Sequence, residues 1–440
     1  MANNSLATEE KLATASQGNG TMRSMLIIGA LFFIFGFVTW LNSVLIPYLK
    51  IACELNNFES YLVAFAFYVA YLVMAIPSAW VLKKTGFKKG MSVGLGVMAL
   101  GALIFIPAAM TRTYLIFLIG LFVQGTGLAV LQTAVNPYVT ILGPRESAAK
   151  RISIMGICNK VAGALAPFIL GAIILDNADA LTNSLSGMSL AEQAAALDAL
   201  ATKVITPYLV MAGILVVLAV LVSFSALPEI DTDQEDETVA VANTNKTSIT
   251  QFPHLLLGAF TLFLYVGVEV MAGDTVISYG ASKGIDLVDA KIFTTYTMIA
   301  MLVGYVIGIF AIPKYISQAK ALQVSAVLGV VLSLVAIFSE GYTSVMSVSL
   351  LGLANALMWP AIWPLAIADL GRFTKIGSSL LIMGIAGGAI LPLLYGWLAD
   401  TVDPQQAYWI MVPCYLVILY FAVYGHKIRT KQPVSGSLPL

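Results

Sequence analysis

The stretch PEIDTDQEDETVAVANTNKTSITQ, residues 228–251, is polar and acidic and lies near the middle of an otherwise apolar chain of 440 residues. Long hydrophobic segments follow one another closely on both sides of it. This change of composition predicts a linker between two halves of one membrane protein. Its acidity does not oppose a cytoplasmic location, because acidic residues contribute little to the rule that places basic loops inside.

The composition of the whole chain indicates that lipid is its main solvent. Hydrophobic residues make up 59% and charged residues 10% of the sequence, and the mean hydropathy is +0.90. A soluble globular protein carries roughly a quarter charged residues, so water alone would not solvate this surface. The formal net charge is zero and no basic face is present, which argues against nucleic acid as a partner.

Metal-ligating and disulfide-forming residues are scarce. The three cysteines, Cys53, Cys158 and Cys414, are scattered through apolar segments, and the two histidines are His254 and His426. These spacings match neither a zinc motif nor a disulfide framework, and two histidines so far apart cannot form an HExxH site. We therefore expect no metal, no organic cofactor and no enzymatic activity.

Twelve segments are long and apolar enough to cross a bilayer as helices. They cover approximately 24–50, 60–82, 90–111, 113–141, 152–175, 204–227, 252–282, 289–313, 320–340, 343–370, 376–399 and 404–426. A membrane β-barrel would instead show alternating strands of about ten residues, and no such alternation is found in the sequence. The pattern predicts an all-α integral membrane protein.

The linker divides these helices into two pseudo-symmetric groups of six. The predicted organisation is an N-terminal tail 1–23, a first six-helix bundle 24–227, the linker 228–251, a second six-helix bundle 252–427 and a C-terminal tail 428–440. This arrangement is typical of the major facilitator class of secondary transporters, in which two halves move around a site near the bilayer midplane.

The charges of the short loops predict the orientation. The loops 83–89 and 145–151 are rich in lysine and arginine, whereas the loops of the opposite face hold acids such as Asp176 and Asp400. Because cytoplasmic loops are enriched in basic residues, both termini are expected in the cytoplasm. Residues 176–203, on the external side, contain an amphipathic stretch that predicts a short external helix.

Amide side chains inside the spans are candidates for a binding site, because lipid penalises polar groups. Asn42 lies deep in helix 1, and the stretch AVLQTAVNPYV in helix 4 carries Gln132 and Asn136 four residues apart on one face. Gln124 extends this polar stripe. Each amide could instead form an interhelical hydrogen bond, and Pro137 could loosen the helix locally.

Charged side chains inside the spans are rarer. Helix 5 contributes the amide of Asn159 and the amine of Lys160. Lys160 needs a carboxylate, water or an extended path to the membrane surface. Helix 7 carries Glu269 and Asp274, and a carboxylate at mid-bilayer costs about 2.5–3.5 kcal/mol.

Because this cost favours the neutral acid, such a group can take up and release a proton. Glu269, nearer the middle of the span, is the preferred coupling residue, and Asp274 could be a gate, a sodium ligand or a residue facing an external vestibule. In helix 10, Trp359 and Trp363 share one face. Indole rings stack on the apolar face of a pyranose, so these residues predict a sugar site.

Three stretches carry a family resemblance: FFIFGFVTWLN (32–42), LQTAVNPYVTILGPRES (131–147) and TKIGSSLLIMGIAGGAILPLLYGWLAD (374–400). They resemble the fucose–galactose–proton symporter family within the major facilitator superfamily. The resemblance covers nearly the whole chain. It implies sugar uptake across the inner (cytoplasmic) membrane of a bacterium, driven by a cation gradient.

The sequence departs from fucose permeases at two positions. Those proteins have an aspartate at the place of Ser43 and a glutamate at the place of Gln132, which are the family's binding and proton-coupling carboxylates. Gln132 and Glu269 are shared with the glucose/galactose branch. Together, the stretches FVTWLN (37–42), IACEL (51–55), RESAAKRIS (145–153) and CNK (158–160) most resemble its N-acetylglucosamine permeases. Coupling would then use Glu269, Asp274 or Lys160, or be absent.

The leading hypothesis is a monomeric symporter that imports a hexose or N-acetylhexosamine of the glucose, galactose or N-acetylglucosamine type by alternating access. The expected substrate-binding residues are Asn42, Gln132, Asn136, Asn159, Lys160, Trp359 and Trp363. Glu269 would couple a proton, or Glu269 and Asp274 together a sodium ion. The alternatives are an uncoupled sugar facilitator, a membrane sugar sensor that does not transport, and a membrane-embedded enzyme.

Overall fold

A computed structural model describes residues 24–141, 148–176, 178–185, 187–225, 227, 247–312, 314–368, 370 and 373–430. Within these ranges twelve helices are long and apolar enough to cross a membrane, which confirms the predicted all-α class. We number the spans α1–α12. Most of the predicted linker, residues 228–246, lies outside the described residues.

The first six spans form the N-terminal half. They are α1 (Ser24–Ala52), α2 and α3 (together Asn57–Thr111), α4 (Tyr114–Ile141), α5 (Ala148–Ile174) and α6 (Ile205–Phe224). The long helix Asn57–Thr111 is bent at Gly86, whose φ of 75° falls in the left-handed region that glycine adopts without strain. This bend lies in the predicted basic loop 83–89 and separates α2 from α3.

The C-terminal half contains the other six spans. They are α7 (Pro253–Asp274, continued by Val276–Ser282), α8 (Leu287–Ala311), α9 (Gln318–Phe338), α10 (Gly341–Ile367), α11 (Thr374–Thr401) and α12 (Gln406–Ile428). The buried residues of both halves belong to one apolar core.

Two short helices connect α5 to α6. One covers Ala178–Leu185, and the other covers Leu190–Thr202, within the stretch predicted to form an external helix. The second begins with a capping box, in which Ser189 and Glu192 satisfy each other's backbone amides. Arg112, between α3 and α4, reaches this helix through an ion pair with Asp198.

Four spans are interrupted within their length. α1 is interrupted at Leu41 and α7 at Thr275. α10 breaks between Asn355 and Met358, and α11 contains a 3-10 turn at Gly384–Ala386. Interrupted helices at mid-membrane expose backbone polar groups and are typical of transporter binding sites.

The two halves contact each other at the face predicted to be external. Asp400 of α11 accepts hydrogen bonds from the backbone amides of Asn57 (3.1 Å) and Phe58 (2.6 Å) and from the Asn57 side chain (2.6 Å). One turn deeper, the rings of Tyr61 and Tyr395 meet edge to face, with centroids 5.4 Å apart. This face is therefore joined by the first turn of α2 and the last turn of α11.

Candidate substrate site

An ion pair between the two halves lies at the centre of the molecule. The Lys160 ammonium group, on α5, donates to a carboxylate oxygen of Glu269, on α7, at 2.7 Å. The two side chains are 8% and 12% exposed, so Lys160 does not extend to the membrane surface. A buried pair of this kind requires both partners, because the low dielectric leaves either charge alone uncompensated.

Trp40 of α1 forms one wall beside this pair. The Lys160 nitrogen lies 4.7 Å from the centroid of the indole ring, within the range of a cation–π contact. The ring also packs between Gly163 of α5 and Gly273 of α7, where an added Cβ would come within 2.5 Å and 2.1 Å of its atoms. The small residues of both halves thus admit an indole where larger side chains would clash.

Tyrosines surround the carboxylate of Glu269. Tyr265 lies one helical turn before it on α7, and Tyr305 of α8 and Tyr415 of α12 also interact with it electrostatically. The Tyr415 hydroxyl donates to Asn355 of α10 at 2.9 Å. The carboxylate therefore faces a polar surface that four helices of the C-terminal half contribute.

The two predicted tryptophans lie against this surface. The rings of Trp359 and Trp363 are stacked, with centroids 5.5 Å apart and planes inclined by 22°. The Tyr265 ring contacts Trp359 at 6.4 Å, which links the indoles to the tyrosine one turn from Glu269. Both tryptophans are half-buried, so they can offer ring area to a ligand.

The amides of α4 lie on the side of α2 and α3. Gln132 is half-buried and donates a hydrogen bond to the Tyr71 hydroxyl of α2 at 2.7 Å. Gln124 is buried where α4 packs closely on Gly101 of α3, so this part of the predicted stripe packs inside the N-terminal half. The helix runs on through Pro137 to Ile141, and the side chain of Asn136 lies outside the described residues.

The remaining candidate amides lie close to α1. Asn159 donates to the backbone oxygen of Phe32 at 3.4 Å, and its own backbone contacts Gly36 so closely that a Cβ there would come within 2.2 Å. Its geometry is that of a helix-packing residue. Asn42 is 1% exposed, and its amide nitrogen has no hydrogen-bond partner among the described residues, which leaves a donor for a ligand.

Asp274 lies apart from the ion pair. It ends the first segment of α7, its side chain is 0% exposed, and neither carboxyl oxygen has a hydrogen-bond partner in the described part of the chain. Glu269 and Asp274 therefore have different surroundings, although only five residues separate them. In the same described ranges, no three His, Cys, Asp or Glu residues group together as metal ligands.

Sequence reasoning did not identify several residues of this site. Trp40, Tyr71, Tyr265, Tyr305 and Tyr415 were not candidates, because aromatic residues are frequent in membrane helices for packing alone. The spacing of Tyr265 and Glu269, four residues apart on one helix face, was the one signal that could have linked an aromatic residue to the charge.

Comparison with known proteins gives matches over nearly the whole chain. The sequence profile of the Major Facilitator Superfamily matches residues 28–378. A glucose/galactose transporter of Brucella abortus is 36% identical over 430 residues, covering 97% of this chain and 98% of that protein. The L-fucose-proton symporter of Escherichia coli is 29% identical, covering 98% of this chain and 100% of that protein.

A similar solved structure is also found. The crystal structure of FucP, a Major Facilitator Superfamily transporter in the outward conformation, superposes with a TM-score of 0.70 at 29% sequence identity. The superposition covers 92% of this chain and 99% of that one.

Proposed function

Because this chain belongs to the Major Facilitator Superfamily, we propose that it imports a small neutral sugar by alternating access, in symport with a cation. The substrate is a hexose or N-acetylhexosamine, and the proton is the preferred ion over sodium. The names of the relatives, a glucose/galactose transporter and a fucose-proton symporter, support both parts of the proposal. The chain is a transporter and not an enzyme.

One observation carries the proposal: a polar site between the halves that combines a charged pair with stacked indoles. Lys160 and Glu269 present an ammonium and a carboxylate group, which can bond sugar hydroxyls as donor and acceptor. Trp359 and Trp363 present parallel rings, on which the apolar face of a pyranose can stack. This mixture of aromatic area and a few polar groups is typical of a small-molecule site.

The remaining polar residues refine recognition of the sugar. The buried amide nitrogen of Asn42 has no hydrogen-bond partner among the residues that the structure describes, so within the proposed set it gains most from a ligand hydroxyl. Gln132 uses one N–H of its amide to bond Tyr71, so its second N–H and its carbonyl oxygen bind the sugar hydroxyls. Asn136 and Asn159 complete the proposed set, with Asn159 acting mainly by holding α5 against α1.

The Lys160–Glu269 pair also gives the transport cycle a physical basis. Because the two residues belong to different halves, rocking of one half against the other lengthens the pair and leaves both charges in need of partners. A sugar bound between them supplies hydroxyl groups in place of the lost contact. When no sugar is bound, by contrast, the halves can move only if the Lys160–Glu269 pair breaks or stays intact throughout the movement.

We further propose that the protein lies in the inner membrane of a bacterium as a monomer, with both termini in the cytoplasm. The basic loops predict this orientation. The face closed by Asp400 is then external, and the site is separated from the outside in the arrangement described above.

The second candidate function is uncoupled facilitation of the same sugar. It is favoured by Ser43 and Gln132, the neutral residues that stand where fucose permeases have their coupling carboxylates. A facilitator would equilibrate sugar across the membrane without concentrating it.

Counterflow in proteoliposomes tests the substrate class. Vesicles loaded with one unlabelled sugar are diluted into a trace of the same labelled sugar, using glucose, galactose, fucose and N-acetylglucosamine in turn. At least one of glucose, galactose and N-acetylglucosamine should give transient labelled uptake above protein-free vesicles. If all three fail while fucose exchanges, the substrate class is wrong; if no sugar exchanges, the sugar proposal fails.

A further inference from the structure

Asp274 is a buried carboxyl group to which the proposed sugar site gives no role. It is fully buried, and neither oxygen accepts or donates a hydrogen bond to another described residue. Lys160, the buried cation of the central site, is already engaged by Glu269. An ionised carboxylate without donor or counter-charge is strongly disfavoured at such a place.

Among the described residues, the titratable groups that face Asp274 are tyrosines, which carry no positive charge. Tyr61 and Tyr68, both on α2 of the other half, interact with it electrostatically. The buried Tyr68 hydroxyl has no hydrogen-bond partner in the described part of the chain. On its own helix the nearest acid is Glu269, and Tyr408 of α12 bonds the adjacent Thr275 at 2.6 Å. These surroundings accommodate a neutral acid and give an anion no compensation.

A cavity at the predicted external face shares Tyr61 with the surroundings of Asp274. This cavity, of about 400 Å³, opens between the halves, and its lining includes Lys50, Tyr61, Ser278 and Tyr395. Ser278 lies one helical turn beyond Asp274, and Tyr61 belongs both to the cavity lining and to the surroundings of Asp274. The hydroxyl-bearing side chains of Tyr61 and Ser278 thus link the lining of the cavity to the surroundings of Asp274.

The backbone around the interruption of α7 favours a proton over a metal cation. A bound sodium ion would draw on carbonyl oxygens exposed where a helix unwinds. Here the oxygens of Met271 and Gly273 already accept bonds from the hydroxyls of Thr275 and Thr294, each at 2.7 Å. The Ala272 oxygen accepts a longer bond from Thr297 at 3.4 Å.

The ion pair itself is poorly suited to carry the proton. Adding a proton to Glu269 would neutralise the partner of Lys160 and leave a buried ammonium group unpaired. The pair is neutral as a unit, and so is a protonated Asp274. The arrangement with the external face closed is then electrically neutral at all three residues.

We propose that Asp274 is the proton carrier of the sugar symport described above, loaded from the external cavity past Tyr61 and Ser278. The inference rests on the proposed function. The carboxylate takes one proton from cavity water and becomes a carboxylic acid. It crosses in that neutral form, and returns the proton to water when the site opens on the other side.

The test compares Asp274→Asn with Asp286→Asn, an exposed acid in the α7–α8 connection, in proteoliposomes. Asp274→Asn mimics the protonated acid, so it should keep counterflow within about threefold of the wild type. It should also lose accumulation driven by a pH gradient and sugar-induced alkalinisation of the medium. Asp286→Asn should keep all three. Proton-coupled accumulation by Asp274→Asn would overturn the proposal.

A second measurement does not depend on transport. The infrared spectrum of the purified wild type at neutral pH should contain the carbonyl band of a protonated carboxylic acid, and Asp274→Asn should remove it. This readout decides the matter even if Asp274→Asn is inactive in every flux assay. If the infrared difference spectrum of wild type minus Asp274→Asn lacks this band, the proposal is wrong. Wild-type uptake that ignores the pH gradient would instead refute the coupling part of the proposed function.

Discussion

At the scale of single residues, the ion pair of Lys160 and Glu269 places opposite charges of the two halves 2.7 Å apart inside the membrane. Removing both charges from water is costly, and the mutual attraction repays that cost only while both partners are present. Loss of either charge alone should therefore destabilise this junction strongly, whereas loss of both charges together should cost less.

The first prediction concerns this dependence. Lys160→Met and Glu269→Gln should each lower the free energy of unfolding by about 3–5 kcal/mol, because each leaves a buried charge unpaired. The double variant should recover at least half of the loss. Thermal unfolding of the detergent-purified proteins measures this, with exposed Lys83→Met as a control that should change stability by less than about 0.5 kcal/mol. If the double variant instead loses the sum of the two single losses, Lys160 and Glu269 are not energetically coupled.

The second prediction compares Gln132 with its hydrogen-bond partner Tyr71. Gln132→Ala should weaken sugar binding about tenfold, since a neutral hydrogen bond contributes about 1 kcal/mol or slightly more. Tyr71→Phe removes the same Gln132–Tyr71 bond but keeps the Gln132 amide available for the sugar. This variant should therefore lose sugar affinity by threefold or less. Titration calorimetry with the transported sugar compares them. Equal losses would show that Gln132 only positions Tyr71.

Some of the site was predictable at this scale and some was not. Lys160, Glu269 and the two tryptophans were identified because charged residues and spaced indoles are conspicuous in apolar spans. The partner of Lys160 was not, because helical periodicity tells which residues share a face but not which helix packs against it. Trp40 was missed for the same reason, since its position depends on glycines 123 and 233 residues further along the chain.

At the scale of secondary-structure elements, α2 and α11 are joined through the N-terminus of α2. The Asp400 carboxylate accepts the two backbone amides that begin this helix, which ordinarily need a cap from the same chain segment. A carboxylate at this position also interacts favourably with the helix dipole. Asn56 and Glu59 cap α2 from its own segment through a capping box, and Asp400 adds a second cap from the opposite half, so this added cap also holds the external face closed.

The third prediction follows from this cap. Asp400→Asn should favour opening of the predicted external face by roughly tenfold, because charge-assisted bonds contribute about 1.5–3 kcal/mol. Ser43→Cys, buried here, serves as the reporter in a background without Cys53, Cys158 and Cys414. Its labelling by a membrane-impermeant thiol reagent should accelerate accordingly.

Asp403→Asn is the matched control for this experiment. Asp403 caps the first turn of α12 by accepting from the backbone amides of Gln405 and Gln406, so its bonds stay within one half. Its replacement should leave the labelling rate at Ser43→Cys unchanged. Equal acceleration by both variants would indicate general loosening rather than release of a contact between halves.

The elements themselves were largely predictable, but their interruptions were not. Hydropathy located all twelve spans, since a helix that crosses lipid must be long and apolar and satisfies its backbone hydrogen bonds internally. The breaks at Leu41 and Thr275 contain neither proline nor glycine at the break itself. They depend instead on contacts between helices, such as the hydrogen bond from Thr294 to the Gly273 oxygen, which cannot be predicted from the local sequence.

At the scale of the whole molecule, the resemblance to the fucose–galactose–proton symporter family is confirmed by relatives that cover nearly the full chain. The central site is then a junction between two mobile bodies. One half contributes Lys160 and Trp40, and the other contributes Glu269, Tyr265 and the stacked tryptophans. Because neither half holds the site alone, binding and relative movement of the halves are linked.

The most direct test of sugar–proton symport is the steady accumulation ratio of sugar in sodium-free proteoliposomes under an imposed pH gradient. One proton per sugar and one pH unit correspond to about 1.4 kcal/mol, enough for a roughly tenfold concentration ratio. We predict accumulation above equality that collapses when a protonophore is added. A ratio that stops at equal concentrations, with or without the gradient, would contradict the account and identify a facilitator.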